Sequence, residues 1–300
     1  MPKEHFPMSK DFRSIIYAVQ DGVAVITLNR PERYNSYDIV MRLELLQAID
    51  MVDADDAVRA VIITGAGKAF CAGADVSGGS TTFDPEARGD REGDNVIVDG
   101  IVRDGAGQIT LRLYNCLKPV IGAINGVAAG AGASISCAFD IRMAADTARF
   151  GFVFARRGVT PEAASSWFLP RAVGIQTALE WCYTGRIVGA VEALERGFVR
   201  SIHAADELLP AAQSLAREIA SSAAPVSIAL VRQLMWRMMG ASHPMEAHRA
   251  DTRAIRSRGK SADAREGVAA FLEKRQPDFP DRLSDGLPDI FPGWSEPEFR

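Results

Sequence analysis

The chain alternates between short apolar runs ended by glycine or proline and stretches where apolar residues recur every three or four positions. Val23–Asn29 (VAVITLN) is continuous and β-branched, and Pro31 ends it, which predicts a strand. Asn35 and Ser36 then offer N-cap side chains. Ile39, Leu43, Leu46, Ile49 and Val52 follow on one face of a helix that Asp53–Asp56 closes. Ala60–Thr64, Val120–Ile124 and Ile141–Ala145 read as further strands, with shorter ones in Ala148–Phe154 and Phe198–Ile202. Helices are predicted over Ile109–Leu117 (stopped by Pro119), Ser134–Phe139, Ala163–Leu169, Ile175–Tyr183 and Ala190–Arg196. Leu208–Ser222, Val226–Met239 and Ala262–Arg275 are amphipathic and helical. The order is therefore α/β first and all-α afterwards.

Two stretches break the alternation. Residues 77–107 are rich in Gly, Asp, Arg and Thr, with one apolar patch at Val96–Val98, and read as a surface excursion. The last 25 or so residues hold five prolines, and an extended tail is expected there, with Phe291 and Trp294 packing on a surface. This divides the chain into a core over 1–200, a helical region over 201–276 and a Pro-rich tail over 277–300.

Composition narrows the function classes. The 300 residues are 47% apolar, enough for a sizeable core, and the net charge of −4 leaves no basic field for nucleic acid. No apolar run approaches the length needed to span a bilayer, and Met1–Arg13 lacks the apolar segment of a signal peptide. Cys71, Cys116, Cys137 and Cys182 are scattered, as expected of buried thiols in a reducing cytoplasm. Of the four histidines only His243 and His248 are near neighbours, so no metal site is expected.

The chemistry is expected in two small-residue loops, Ala69–Asp75 (AFCAGAD) and Asn125–Ala133 (NGVAAGAGA), each of which follows a β-like run. Two such loops can aim two peptide N–H groups at one point and so build an oxyanion hole from backbone alone. A dinucleotide loop is disfavoured, because Gly126, Gly130 and Gly132 do not complete G-x-G-x-x-G; position 135 is Ile. A nucleophilic Ser134 is disfavoured too, since the G-x-S-x-G elbow is absent and no histidine lies near. A helix N-terminus approached by a carbonyl oxygen, or plain close packing of a helix on a strand, remains.

AFCAGAD after a strand, followed by KPVIGAINGVAAGAGASISCAFDIRMA (Lys118–Ala144), resembles the crotonase, or enoyl-CoA hydratase/isomerase, superfamily. NRPERYNS (Asn29–Ser36), TGRIVGAVEALERGFV (Thr184–Val199) and EGVAAFLEKR (Glu266–Arg275) are similar to its other blocks, in the right order, over about residues 15–276. The resemblance implies an α/β spiral of ββα units, helical C-terminal trimerisation (a homotrimer or hexamer), and a coenzyme A thioester as substrate with no separate cofactor. It implies oxyanion donors at Ala72 and Ala131, the second usually glycine in the family. It places Arg33 and Tyr34 at the nucleotide end of CoA, with Lys68 and Lys274 as further candidates, and Gly73, Ala74, Asp75, Gly130 and Gly132 around the thioester. For Arg33 and the lysines the alternative is an ordinary solvated charge, and for Asp75 a cap on its own loop.

The family's hydratases use two glutamates, and the matching positions here are Ser134, or a neighbour within Ala133–Ser136, and Phe154. Neither is acidic. One carboxylate does stand nearby: Glu162, in GVTPEAASSWFLPR (Gly158–Arg171), a segment that resembles the PEGCSSY-type motif of Δ3,Δ2-enoyl-CoA isomerases. The competing expectation for Glu162 is a first-turn residue complementing a helix dipole. A single carboxylate can take a proton from C2 and return one at C4, so the expected reaction is a C3-to-C2 double-bond shift in fatty-acid metabolism. The alternatives are a hydratase, with water held by Ser134 or with Glu86 or Glu92 brought in from the excursion, and a non-catalytic acyl-CoA binder. Phe152, Phe154, Trp167 and Phe168 are either pocket wall or core.

Overall fold

The computed structural model describes residues 12–84 and 97–299. Strands β1 (Ile15–Gln20) and β2 (Val23–Leu28) form an antiparallel hairpin across Asp21 and Gly22, both with positive φ. Helix α1 (Ile39–Ala54) follows, then β3 (Ala60–Gly65) and β4 (Ala69–Cys71). A two-residue ribbon, β5 (Ile97–Val98) with β6 (Ile101–Val102), precedes α2 (Gly105–Tyr114). Next come β7 (Val120–Ile124), β8 (Val127–Ala129), α3 (Ala131–Cys137), β9 (Ile141–Ala145) and β10 (Arg149–Gly151). Then follow α4 (Ser165–Val173), α5 (Ile175–Thr184), β11 (Ile187–Gly189), α6 (Ala190–Glu195) and β12 (Ser201–His203). Four helices end the chain: α7 (Leu208–Ser222), α8 (Pro225–Met238), α9 (Pro244–Arg258) and α10 (Ala262–Glu273).

Two sheets organise these elements, in the orders β1-β2-β3-β7-β9-β12 and β11-β10-β8-β4. The pairs β2/β3, β3/β7, β7/β9 and β9/β12 are parallel, as are β4/β8 and β8/β10. Each pass of the chain thus gives one strand to the first sheet and the next to the second: β3 then β4, β7 then β8, β9 then β10. That is the spiral of ββα units expected from the sequence. β3 and β7 are buried on both faces, which is why their sequences run apolar without alternating.

Several local expectations give way to stronger interactions. The N-cap of α1 is Asp38, whose side chain accepts the Met41 N–H, because Asn35 is engaged elsewhere. The buried face of α1 is Met41, Leu45, Ala48, Ile49 and Val52, while Leu43 is exposed. Helix α2 begins at Gly105, inside the stretch read as excursion, and α9 was not predicted, being strongly polar. Within the helical region over 201–276, Leu208, Ala212 and Ala216 of α7 pack on Val25, Ile62 and Ile121 of the six-stranded sheet. The tail packs too. Leu283 and Ile290 join Val226, Ala229 and Leu230 of α8, and the Arg237 guanidinium stacks 3.7 Å from the Trp294 ring and 4.6 Å from that of Phe291.

Candidate active site

The two small-residue loops meet backbone to backbone. A Cβ on Gly73 (φ +100°) would come within 2.7 Å of the Ala129 carbonyl oxygen, and one on Gly132 within 2.1 Å of that of Cys71. Gly130, at φ +50°, would place a Cβ 3.7 Å from the Gly73 Cα. Side chains at 73 and 132 would hold the loops apart, while at 130 the positive φ is what favours glycine. Behind the first loop, the buried Asn35 amide donates to the carbonyls of Ala66 and Ala69 at 2.9 and 2.8 Å, fixing the 65–69 turn.

An account of the N–H groups in these loops corrects one expectation. The segment 34–37 lies along 72–75 like a short parallel strand, bridged at Tyr37 and Ala74. It takes the Ala72 N–H on the Tyr34 carbonyl and the Asp75 N–H on the Tyr37 carbonyl, both at 3.0 Å, while the Tyr37 N–H donates to Gly73 at 2.8 Å. Ala72 is therefore engaged and cannot also serve a ligand. Of the two amides between Ala72 and Asp75, that of Gly73 meets the Cys71 thiol, which leaves the Ala74 N–H, next to Asp75 and facing away from the 34–37 segment. Among the described residues neither the Ala74 nor the Ala131 N–H donates to a protein acceptor. Ala131 opens α3, where the first N–H groups have no intrahelical partner.

Glu162 stands beside these loops. It does not lie in the first turn of a helix: α4 begins three residues later, after Ala163 and Ala164, both in the left-handed conformation at φ +57° and +53°. Its carboxyl pKa is pushed up to about 7, chiefly by burial and then by the charge of Asp104. Ser134, in the first turn of α3, acts in the opposite direction. Yet Glu162 Oε1 and Ser134 Oγ are both buried without a hydrogen-bond partner, as is the Tyr37 hydroxyl. The Glu162 charge is felt by Tyr37, by Cys71 on β4 and by Cys137 on α3, so the carboxylate lies within electrostatic reach of all three. Burial pushes both of these thiols up to about 12.

Glu162 is not the lone carboxylate. Asp104, hidden in the stretch read as excursion, caps α2 by accepting the Ala106 and Gly107 N–H groups at 3.0 and 3.1 Å, and accepts the Ala163 N–H at 2.5 Å. An aspartate immediately before the amphipathic run Ile109, Thr110, Leu113 was the available signal in the sequence, as an N-cap. Tyr37 was likewise missed; nothing in its sequence context marks it.

The residues expected at the nucleotide end of CoA form a partly exposed polar rim. Asp75 pairs with Arg30 at 3.1 Å and Arg33 at 3.5 Å, and caps its own loop by accepting the Ser77 N–H. Burial raises the Asp75 pKa, but its bonds to Ser77 and Arg30 prevail, and the net shift is downward. Arg33 and Tyr34 are exposed beside it, Tyr34 with φ +52°. Lys68 is exposed at the turn before β4, and Lys274 is exposed at the end of α10, away from this rim in sequence and element. Phe152, Phe154 and Phe168 are core: Phe152 stacks on Trp181 at 5.9 Å, and Trp167 meets Phe168 edge-on at 4.8 Å. Glu86 and Glu92 lie outside the described residues.

A spiral of ββα units whose paired loops present free N–H groups beside a half-buried glutamate defines a crotonase-fold protein. Residues 18–282 match the enoyl-CoA hydratase/isomerase family, and the chain belongs to it. It is 38% identical over 266 residues to enoyl-CoA hydratase AFT3-1 of Alternaria alternata, an alignment covering 88% of this chain and 85% of that protein. It is 36% identical over 273 residues to 1,2-epoxyphenylacetyl-CoA isomerase of Escherichia coli (strain K12), covering 88% and 97%. The crystal structure of a probable enoyl-CoA hydratase/isomerase from Mycobacterium abscessus superposes with a TM-score of 0.80 at 33% identity, covering 89% and 99%.

Proposed function

We propose that this protein shifts the double bond of an enoyl-CoA thioester from C3 to C2. The thioester oxygen accepts the N–H groups of Ala74 and Ala131. Glu162 removes a proton from C2, negative charge moves onto that oxygen as the dienolate forms, and Glu162 returns the proton at C4 as the double bond re-forms between C2 and C3. The observation that carries this reading is Glu162 itself: a half-buried carboxylate with one oxygen unpartnered, held near neutrality by burial and by Asp104. A base with a pKa near the working pH has the best balance of ionised fraction and proton affinity, and such catalysis is worth roughly 10²–10⁴. Each backbone donor adds roughly 10²–10³ by stabilising charge that develops only in the transition state. No separate cofactor enters this chemistry; coenzyme A is part of the substrate.

Hydration is the second reading, favoured by the buried, unpartnered Ser134 hydroxyl, which could hold a water beside Glu162. Asp104, which accepts three backbone N–H groups, is assigned no proton transfer in either reading. The test supplies a 3-enoyl-CoA and a 2-enoyl-CoA to the wild type, Glu162→Gln and Ser134→Ala. Isomerisation faster than hydration, lost in Glu162→Gln and kept in Ser134→Ala, is expected. Full isomerase activity in Glu162→Gln refutes the role of the glutamate, and faster hydration by the wild type refutes the reaction. Binding of acyl-CoA with no turnover of either thioester would identify a non-catalytic homologue.

Exposed Ile255, Phe271 and Leu272 on α9 and α10 support the trimer or hexamer that the family resemblance implies. Light scattering after size exclusion should give three or six chains per particle; a monomer would refute the assembly.

A further inference from the structure

The segment that presents Glu162 is closed locally by Ser165, whose N–H and Oγ donate to the Glu162 carbonyl at 3.0 and 2.6 Å, and is held across the fold by α2. We infer that Asp104 and Thr110 are positioning residues that clamp the peptide groups of Ala163 from the first two turns of α2 and thereby set where the Glu162 carboxylate stands; the inference rests on reading Glu162 as the base. The clamp has two jaws. The Ala163 N–H donates to Asp104 Oδ2 at 2.5 Å, and Thr110 Oγ1 donates to the Ala163 carbonyl at 2.9 Å. Ala163 and Thr110 are both buried, so these bonds do not compete with bulk water.

Something must hold this segment, because Ala163 and Ala164 are consecutive alanines in the left-handed region, a conformation unfavourable for any residue with a Cβ. An alanine has no side chain with which to stabilise it locally. Released to the extended or right-handed regions, the pair would swing the preceding Glu162 away from the loops. The approach of α2 is itself built in: a Cβ on Gly107 would come within 2.9 Å of Asp104 Oδ2 and 3.7 Å of the Ala163 Cα. The far end of α2 is fixed as well, since the buried Arg232 of α8 donates to the carbonyls of Leu113 and Tyr114 at 2.6 and 2.7 Å. The clamp is therefore part of a helix tied at both ends.

Asp104 also brings a negative charge to the base. The other titratable groups around Glu162 are the thiols of Cys71 and Cys137 and the phenol of Tyr37, whose pKa values are all raised, so they stay neutral where the glutamate ionises. The cations acting on these neighbours are Arg42 on Tyr37, Arg30 on Cys71 and Arg142 on Cys137. Removing the Asp104 charge should ease ionisation of Glu162, whereas removing the Thr110 hydroxyl should only loosen the segment.

The experiment separates these effects without depending on one assay. Glutamate side chains carrying a carboxyl-carbon label are titrated by NMR in ligand-free protein, with Glu162→Gln assigning the signal. In Asp104→Asn the Glu162 midpoint is expected to fall by roughly one pH unit. Thr110→Val is expected to lower kcat on the 3-enoyl-CoA roughly tenfold with KM within about twofold, and Thr110→Ser to restore it. A Glu162 midpoint unchanged in folded Asp104→Asn, wild-type kcat in Thr110→Val, or failure of Thr110→Ser to restore it would overturn the inference. If Glu162→Gln retains full activity, the assignment of the base fails, and the titration still reports independently whether Asp104 governs that carboxylate.

Discussion

Glu162→Gln should abolish turnover and at the same time stabilise the fold, by an amount that depends on pH in a definite way. The carboxyl is raised from an ordinary value of 4.5 to about 7 in the folded protein. Below pH 4.5 both folded and unfolded states hold the proton, and the glutamate contributes nothing. Between 4.5 and 7 the unfolded state releases it while the folded state keeps it, so folding weakens as pH rises. Above 7 the full difference applies, about 3 kcal/mol at roughly 1.4 kcal/mol per unit. Glutamine keeps the shape and has no charge to desolvate, and its amide can face Asp104. The gain should therefore be under about 1 kcal/mol at pH 5 and approach about 3 kcal/mol at pH 8. At roughly 2 °C per kcal/mol for a chain of this size, the variant should melt about 2 °C above the wild type at pH 5 and about 6 °C above it at pH 8. The assay is thermal unfolding of both proteins at matched concentration, since assembly also shifts Tm. A Tm increment that does not grow with pH, or a loss of stability at pH 8, would refute the claim that burial and Asp104 burden this carboxylate.

Three further outcomes follow from the same geometry. The pH profile of kcat/KM should fall tenfold per unit below an apparent pKa near 7, because the ionised form of Glu162 is the active one and is lost as pH drops; a flat profile from pH 5 to 8 would count against it. Gly132→Ala should destabilise by roughly 1–3 kcal/mol and reduce activity, since its Cβ would meet backbone of Cys71 at 2.1 Å, while Gly189→Ala, with open space around it, should change urea stability little; equal effects would show that the loops are not in close contact. Cys71, Cys116 and Cys137 are buried with thiols pushed up to about 12, so a thiol reagent on native protein should label Cys182 first; rapid labelling of all four would contradict the packing.

What was legible in the sequence is what local pattern determines. β2, β3, β7 and β9 were readable because each is mainly apolar over five or six residues, and the partnered loops because small residues cluster at 73, 130 and 132 after such runs. The strands of the second sheet, β4, β8 and β11, have three residues each, too short for any periodicity to register. That the Ala72 N–H is engaged was not legible for a related reason. Which amides are free in AFCAGAD depends on the segment 34–37 docking beside it, a contact more than thirty residues away in sequence.

Asp104 shows the same limit from the side of chemistry. In the sequence it sits among several acidic residues of a polar stretch, marked at most as an N-cap, and only the reach of α2 to Ala163 shows what else it holds. That reach also explains why Glu162 can stand on strained backbone. A positive φ at two successive alanines is unfavourable, and it persists because both peptide groups of Ala163 are held by a helix that is anchored elsewhere. The unfavourable terms of this site, the left-handed pair and the buried carboxylate, fall on adjacent residues, and one helix end opposes the first while intensifying the second. A carboxylate that ionises near neutrality is thus obtained first by burial and then by an anionic cap beside it, and on the proposed reading the same cap keeps it aimed. On the proposed reading the backbone loops hold the thioester oxygen, and the helix that grips the Ala163 peptide groups sets where Glu162 stands beside it.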